Sequence, residues 1–315
     1  NKDSTRKLWK TATLSDANNW SVTWDNLPYA EGDVTYEYTA VERGPVDGYT
    51  GKLKWTGSYE EGWLGTITNT VQTGWLKLHK SSSLPDMTDG NACYDLTGAK
   101  YTVYTDEACT KEAIVGGELV TDKNGDTKAV ELLPGDYWVK ETKATDDGHY
   151  DIDKEPHKVT VSANDTTTSP VLLNVEDEPL NDPASITITK IWHGEKTETI
   201  PTLNGTQFTV CYYAGDYEKD TLPSKPTRKW VIEVKYNENI DKYMALLTDT
   251  YLVKGSDALY KSADGKATLL PFGTYTIQET KAAAGYTLEG MFVDKKGQTI
   301  SPNEIYLTKV LKRGD

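Results

Sequence analysis

The chain has 315 residues, with 48 Asp or Glu against 34 Lys or Arg, which gives a formal net charge of −14. At roughly 100–200 residues per domain, this length predicts two or three domains. The acidic balance excludes a basic patch for nucleic acid or an anionic membrane surface. No segment reaches the roughly 18 apolar residues of a membrane-spanning helix, so we expect no membrane insertion. The 20 Tyr and 9 Trp favour strands and predict an all-β chain.

One strand pattern recurs three times at domain-sized intervals. The copies are YEYTAVE at 36–42, LLPGDYWVKETK at 132–143 and LLPFGTYTIQETK at 269–281. Side chains alternate between the two faces of a strand, so each copy ends an apolar row with one glutamate. The three carboxyl groups are those of Glu42, Glu141 and Glu279. We therefore expect one inward-facing carboxyl group in each repeat.

Two further strand patterns accompany this repeat. The opening strands WLKLHK at 75–80 and SITITKIW at 185–192 place Lys80 and Lys190 in line with core rows. The closing strands GTITNT, LLNVEDEP and IYLTKV bring Asn69, Asp177 and Lys309 to the end of each repeat. The first repeat lacks a lysine strand, and we expect that strand upstream of Asn1.

These landmarks predict three units with boundaries near Gly74 and at the NDP linker of 181–183. The units are residues 1–73, 74–180 and 181–315, and the third holds an insertion between Cys211 and Gly265. Short strands separated by Asn-Gly, Pro-Gly and Asp-Gly turns indicate antiparallel sandwiches. The expected fold is a tandem array of immunoglobulin-like β-sandwiches.

A lysine on the first strand, a central glutamate and an Asp or Asn on the last strand can meet inside such a sandwich. Burial favours the neutral forms of the amine and the carboxyl group, so the amine can attack the acceptor while the protonated glutamate polarises it. The product is an intramolecular isopeptide bond that forms once per molecule. The alternative is that these are ordinary surface ion pairs.

The stretches LPGDYWVKETKA and LPFGTYTIQETKAAAGY resemble the glutamate motif of Cna-B and SpaA-like (prealbumin-like) domains of Gram-positive surface proteins and pilins. WDNLP, YEYTAVE and ITNT in the first unit resemble a Cna-B repeat. The resemblance implies a secreted protein on the cell wall of a Gram-positive bacterium. It also implies intramolecular Lys–Asn or Lys–Asp bonds. The four histidines lack metal-ligand spacing and the sequence has no cofactor motif, so we expect neither a metal nor a cofactor.

Carried over to the second unit, the resemblance implies Lys80 as nucleophile, Glu141 as acid and Asp177 as acceptor. Asn174 is the fallback acceptor, although alternation sets it on the opposite face. In the first unit Glu42 and Asn69 match, without a lysine. In the third unit Lys190 and Glu279 match, but Lys309 stands where the family has Asn, so a buried ion pair between Lys190 and Glu279 is the alternative there.

Two of the three cysteines, Cys93 and Cys109, flank an expected hairpin in an extracellular chain, where a disulfide would persist. The alternative is a pair of buried free thiols. Cys211 lies in an apolar strand and is expected to be a buried thiol.

The expected function is a structural stalk segment of a wall-anchored adhesin or accessory pilin, joined to further domains of the same protein. The alternative is a module that binds a host extracellular protein or a glycan, since Tyr and Trp dominate binding hot spots. No constellation for an enzyme with turnover is visible in the sequence.

Overall fold

The computed structural model describes residues 7–43, 48–58, 61–113, 118–182, 185–192, 201–262, 264–288, 292–293, 297, 299–300 and 304–314. Regular structure in these residues is almost entirely β-strand, which confirms the all-β prediction. None of the helices in these ranges is long and apolar enough to cross a membrane. The chain divides into two compact units, residues 1–71 and 72–315.

The first compact unit is built around one long hairpin. Its elements are a 3-10 helix at Asp16–Asn18 and strands β1 Ala30–Glu31, β2 Val34–Thr35, β3 Tyr49–Ser58 and β4 Gly62–Val71. β3 and β4 are antiparallel, and Trp55 lies opposite Gly65. A Cβ at Gly65 would lie 2.8 Å from the Trp55 ring, so glycine lets the indole cover the neighbouring strand.

The second compact unit begins with a two-sheet sandwich. Its elements are β5 Gly74–Ser82, α1 Pro85–Thr88, β6 Lys100–Tyr104, β7 Glu118–Val120, β8 Val130–Leu132, β9 Gly135–Lys143, β10 His157–Val161 and β11 Val171–Asp177. One sheet has the order β10-β9-β6-β7 and the other β11-β5-β8. β11 runs parallel to β5, so the first and last strands of this sandwich are neighbours.

The second half of this unit repeats the arrangement. Its strands are β12 Thr187–Lys190, β13 Gln207–Tyr213, β14 Arg228–Glu233, β15 Lys235–Asn237, β16 Lys242–Leu246, β17 Gly273–Lys281, β18 Phe292–Val293, β19 Thr299–Ile300 and β20 Tyr306–Val310. The sheet orders are β14-β13-β17-β20 and β12-β16-β15. The insertion supplies β14 and β16, which take the places of β7 and β8, and it adds β15 at the edge beyond β16.

The two sandwiches have separate cores, and the second core extends into the first sandwich. Asn91 is buried and donates from its amide to Tyr212 Oη at 2.8 Å and to the Phe272 carbonyl at 3.0 Å. Tyr94 stacks on Phe272, with ring centroids 5.6 Å apart. Side chains from one sandwich therefore complete the core of the other, and the division at residues 180 and 181 stays a prediction.

Candidate functional site

Lys80 lies at the inner face of β5, where alternation continues the buried row of Leu76 and Leu78. Its side chain is 0% exposed. The ammonium donates to Glu141 Oε1 at 3.1 Å and to Tyr101 Oη at 3.2 Å, and it also contacts Asp177 Oδ2. The structure thus brings together the three residues that the sequence assigns to the second unit.

Glu141 reaches this point from β9, where it lies opposite Tyr101 of β6. Its Oε2 accepts a hydrogen bond from the backbone N–H of Asp153 at 2.6 Å, which fixes the direction of the carboxyl group. Burial raises the pKa of Glu141, and the neighbouring Lys80 charge offsets part of this shift. Burial lowers the pKa of Lys80, and the charge of Glu141 opposes this shift. Desolvation therefore favours the neutral forms of both partners.

Asp177 ends β11 and is almost fully buried. In the parallel register Val175 lies opposite Lys80, and Asp177 follows two residues later on the same face. Its Oδ1 has no hydrogen-bond partner in the described part of the chain. Asn174 is exposed and opposite His79, which leaves the fallback acceptor on the outer face. Asp177 is the acceptor-type side chain within reach of the amine.

Aromatic rings surround the ammonium group. The centroids of Tyr101 and Tyr150 each lie 5.7 Å from Lys80 Nζ, and both side chains are buried. Burial raises the pKa of Tyr150 to about 12, so its hydroxyl keeps its proton at neutral pH. Sequence reasoning did not assign a role to these tyrosines or to Asp153. The available signal was the alternation in KYTVY at 100–104, which puts Tyr101 on an inward face.

In the first compact unit, Asn69 donates from its amide to Glu42 Oε1 at 3.1 Å, so the two matching residues do meet. Both are exposed, and no lysine in the described part of this unit bonds to either. Gly51 lies opposite Asn69, and a Cβ there would be 2.8 Å from Glu42 Oε2. A glycine at this position leaves room for the carboxyl group.

In the third unit, Lys190 donates to Glu279 Oε2 at 2.7 Å, and their side chains are 18% and 6% exposed. The two side chains form a partly buried ion pair, and their roles in bond formation stay a prediction. Lys190 lies on β12 and Glu279 lies on β17. These strands correspond to β5 and β9, which carry Lys80 and Glu141.

The assignment of Lys309 to the acceptor position is wrong. β20 pairs with β17 as β10 pairs with β9. Lys309 lies opposite Thr274 of β17, and Thr160 lies opposite the equivalent residue of β9, so Lys309 corresponds to Thr160 and not to Asp177. Its amine lies 2.6 Å from both Asp216 Oδ1 and Glu218 Oε1. Hydrogen bonds to these carboxylates raise the pKa of Lys309. IYLTKV resembles a closing strand in its alternation, but alternation does not specify which strand it pairs with.

The predicted disulfide between Cys93 and Cys109 is also wrong, because both are free thiols, as is Cys211. Cys93 is buried in the core shared by the two sandwiches, and Cys109 lies in the turn after β6. The strand β6 lies between the two positions in the chain, and no bond joins their thiols.

Two family models match this sequence. The SpaA prealbumin-like fold domain matches residues 86–175 and 184–302, which is more than half of the chain, and the Cna protein B-type domain matches residues 1–70. The chain belongs to the SpaA prealbumin-like family, with a Cna-B-type domain at its start. The resemblance and the tandem sandwich fold expected from the sequence are confirmed.

Similar solved structures include pilins and a pilus adhesin. The Bacillus anthracis TIE protein matches at 17% identity with a TM-score of 0.38, over 85% of this chain and 39% of its own. The pilus adhesin SpaC from Lactobacillus rhamnosus GG matches at 17% identity with a TM-score of 0.37, over 83% of this chain and 30% of its own. The minor pilin GBS52 of Streptococcus agalactiae matches at 18% identity with a TM-score of 0.27, over 45% of this chain and 56% of its own. The chain thus spans less than two thirds of each, and no curated protein matches it.

Proposed function

We propose that this chain is a stalk segment of a secreted, wall-anchored adhesin or accessory pilin of a Gram-positive bacterium, with domains at 1–73, 74–180 and 181–315. We propose further that its second domain forms an isopeptide bond between Lys80 and Asp177, with Glu141 as the acid. The observation that carries this proposal is the fully buried Lys80 ammonium in contact with both carboxyl groups. Membership of the SpaA prealbumin-like family supports it.

The reaction needs no cofactor. Lys80 transfers one proton to Glu141, which leaves a neutral amine beside a neutral carboxyl group. The amine attacks Cγ of Asp177 while the Glu141 proton is donated to the departing oxygen. The Nζ–Cγ bond forms, and the nitrogen then gives up a second proton, which passes through Glu141 to the same oxygen. The Cγ–Oδ2 bond breaks, and water leaves with two hydrogens that both came from the ammonium. The acceptor is consumed, so the chain reacts once and does not turn over.

The bond would join the first and last strands of the domain. β5 and β11 are parallel neighbours, so a bond between them carries tension directly from one terminus of the domain to the other. Tension would then bypass the hydrogen bonds of the remaining strands. A shear-resistant stalk needs this property.

The third domain offers a second donor and acid. We propose that Lys190 and Glu279 have these roles, on the evidence of their 2.7 Å contact. In the described part of the chain, β12 pairs only with β16 and lacks a neighbour equivalent to β11. Glu42 and Asn69 are proposed as the acid and acceptor of the first domain.

A host-binding module has weaker support. The aromatic residues of the third-unit insertion motivated that alternative, but Trp230 and Tyr260 are buried in the core. Their rings pack against Tyr212 and complete the sandwich. Strands β14 and β16 of the insertion take the places of β7 and β8, and β15 adds an edge strand, which is a structural role.

Intact mass spectrometry of the purified chain tests the proposal. The expected mass is one water below that of the sequence, and digestion should yield a branched peptide that joins Lys80 to Asp177. Lys80→Ala should restore the full calculated mass, while Lys77→Ala, a neighbour on the outer face of β5, should keep the deficit. A wild-type mass equal to the calculated value would refute the bond.

A further inference from the structure

Tyr101 contacts the reacting nitrogen, and the reaction described so far gives it no role. It lies on β6 directly opposite Glu141 and is 0% exposed. Its Oη accepts a hydrogen bond from Lys80 Nζ at 3.2 Å. Burial, with the charge of Glu141 next, raises the pKa of Tyr101, so the hydroxyl stays protonated and neutral.

The direction of the amine lone pair decides whether Lys80 can attack. An ammonium group has three N–H bonds, and here three oxygens surround it: Glu141 Oε1, Tyr101 Oη and Asp177 Oδ2. A neutral amine has two N–H bonds and one lone pair. If Glu141 and Tyr101 accept the two N–H bonds, the lone pair faces Asp177. Without the hydroxyl, the amine can turn an N–H bond toward Asp177, and the lone pair then points away.

We propose that Tyr101 is a positioning residue for isopeptide formation, which holds one N–H of the neutral Lys80 amine and so aims its lone pair at Asp177 Cγ. This inference rests on the proposed Lys80–Asp177 bond. The hydroxyl gains and loses no proton in the step. The water still takes its oxygen from Asp177 and both hydrogens from Lys80.

The third domain contains the corresponding site without this hydroxyl. Phe208 of β13 lies opposite Glu279, just as Tyr101 of β6 lies opposite Glu141. In both pairs of strands the register shifts at the residue directly before, so Phe208 and Tyr101 occupy equivalent positions. Phe208 is buried, so a phenyl ring fits this position of the sandwich. The fold therefore tolerates Phe where the second domain has Tyr, and Tyr101→Phe removes only an oxygen atom.

The test compares wild type with Tyr101→Phe in the full chain. Each protein is purified from inclusion bodies in denaturant, refolded by dilution, and sampled over time for intact mass, while fluorescence follows folding. Tyr137→Phe is the matched control, because Tyr137 is a buried tyrosine of β9 whose hydroxyl donates to the Leu133 carbonyl at 2.8 Å. Folded molecules are separated by size exclusion, so the rate refers only to them.

We expect Tyr101→Phe to lose water about tenfold to a hundredfold more slowly than wild type, because small errors in the position of a nucleophile cost this much. The pH profile of its rate should also shift, since Tyr101 is hydrogen-bonded to both members of the Lys80–Glu141 pair that exchanges the proton. The other titratable groups that face Lys80 are Asp177, Asp153 and Tyr150. Tyr137→Phe should react at the wild-type rate.

Two outcomes would overturn the inference separately from the proposed function. If wild type loses water and Tyr101→Phe loses it at the same rate with the same pH profile, Tyr101 only packs. The same conclusion follows if Tyr137→Phe loses water as slowly as Tyr101→Phe does. If wild type itself keeps its full mass, the proposed bond fails, whatever Tyr101 does.

Discussion

Replacing Glu141 with Gln should leave the second domain folded but unbonded. Glutamine has nearly the same shape, and its carbonyl oxygen can still accept the Asp153 N–H that holds Glu141 Oε2 at 2.6 Å. It cannot take a proton from Lys80 or donate one to the leaving oxygen as a carboxyl group does. Lys80 should then remain an ammonium paired with Asp177, and the chain should keep its full mass.

The expected loss of stability follows from the loop that the proposed bond would close. Lys80 and Asp177 are 97 positions apart. A cross-link that closes a loop of about 100 residues removes about 4.7 kcal/mol of unfolded-state entropy. The second and third domains share a core within the compact unit of residues 72–315, and in a cooperative unit of this size each kcal/mol corresponds to about 2–4 °C in melting temperature. The variant should therefore melt about 10–20 °C lower.

Calorimetry on chains whose mass has first been measured would check this value. Glu176→Gln is the matched control, because Glu176 lies on β11 with its side chain exposed, and this variant should keep both the water deficit and the wild-type melting temperature. The reasoning is refuted if Glu141→Gln shows the same deficit as wild type. It is also refuted if the deficit disappears and the melting temperature does not fall.

Three further predictions concern the rest of the second compact unit. Lys309→Met should not change the number of waters that the chain loses, because Lys309 pairs with the surface carboxylates of Asp216 and Glu218 and takes no part in a cross-link. Intact mass measures this number. Asn91→Ala should lower the free energy of unfolding by about 2–4 kcal/mol, measured by guanidinium titration, because it removes buried hydrogen bonds to Tyr212 and to the Phe272 carbonyl; an unchanged midpoint would contradict this. Iodoacetamide at mildly alkaline pH should alkylate Cys109 before Cys93, since burial raises the pKa of Cys93 to about 11 and only the thiolate reacts. Peptide mapping would show the order, and equal labelling would count against it.

The shared core explains why the second and third domains should respond together to Asn91→Ala. Tyr94 donates to the Leu180 carbonyl at 2.8 Å and accepts from the Phe272 N–H at 3.0 Å, so one side chain bonds to both sandwiches. The sequence placed a linker at 181–183, and linkers usually separate domains. Whether neighbouring domains share a core depends on long-range packing, which local turn chemistry does not encode.

The cysteines and Lys309 show where sequence patterns stopped being sufficient. Both assignments relied on spacing along the chain, with Cys93 and Cys109 on either side of a strand and Lys309 at the end of an alternating row. Alternation fixes which face a side chain occupies, but not the neighbouring strand. The pairing of β20 with β17 is a contact between distant segments, and only the assembled sheet reveals it.

The sequence alone determined the all-β class, the repeating sandwiches and the inward faces of Lys80, Glu141 and Asp177, because period-2 alternation is a local property of an extended chain. Tertiary structure decided which of these side chains meet. It made β11 the parallel neighbour of β5, which brings Asp177 to Lys80, and it set the hydroxyl of Tyr101 against the same nitrogen. The physical reason is that a strand pattern specifies a face, whereas a reactive site needs contacts across strands and between sheets.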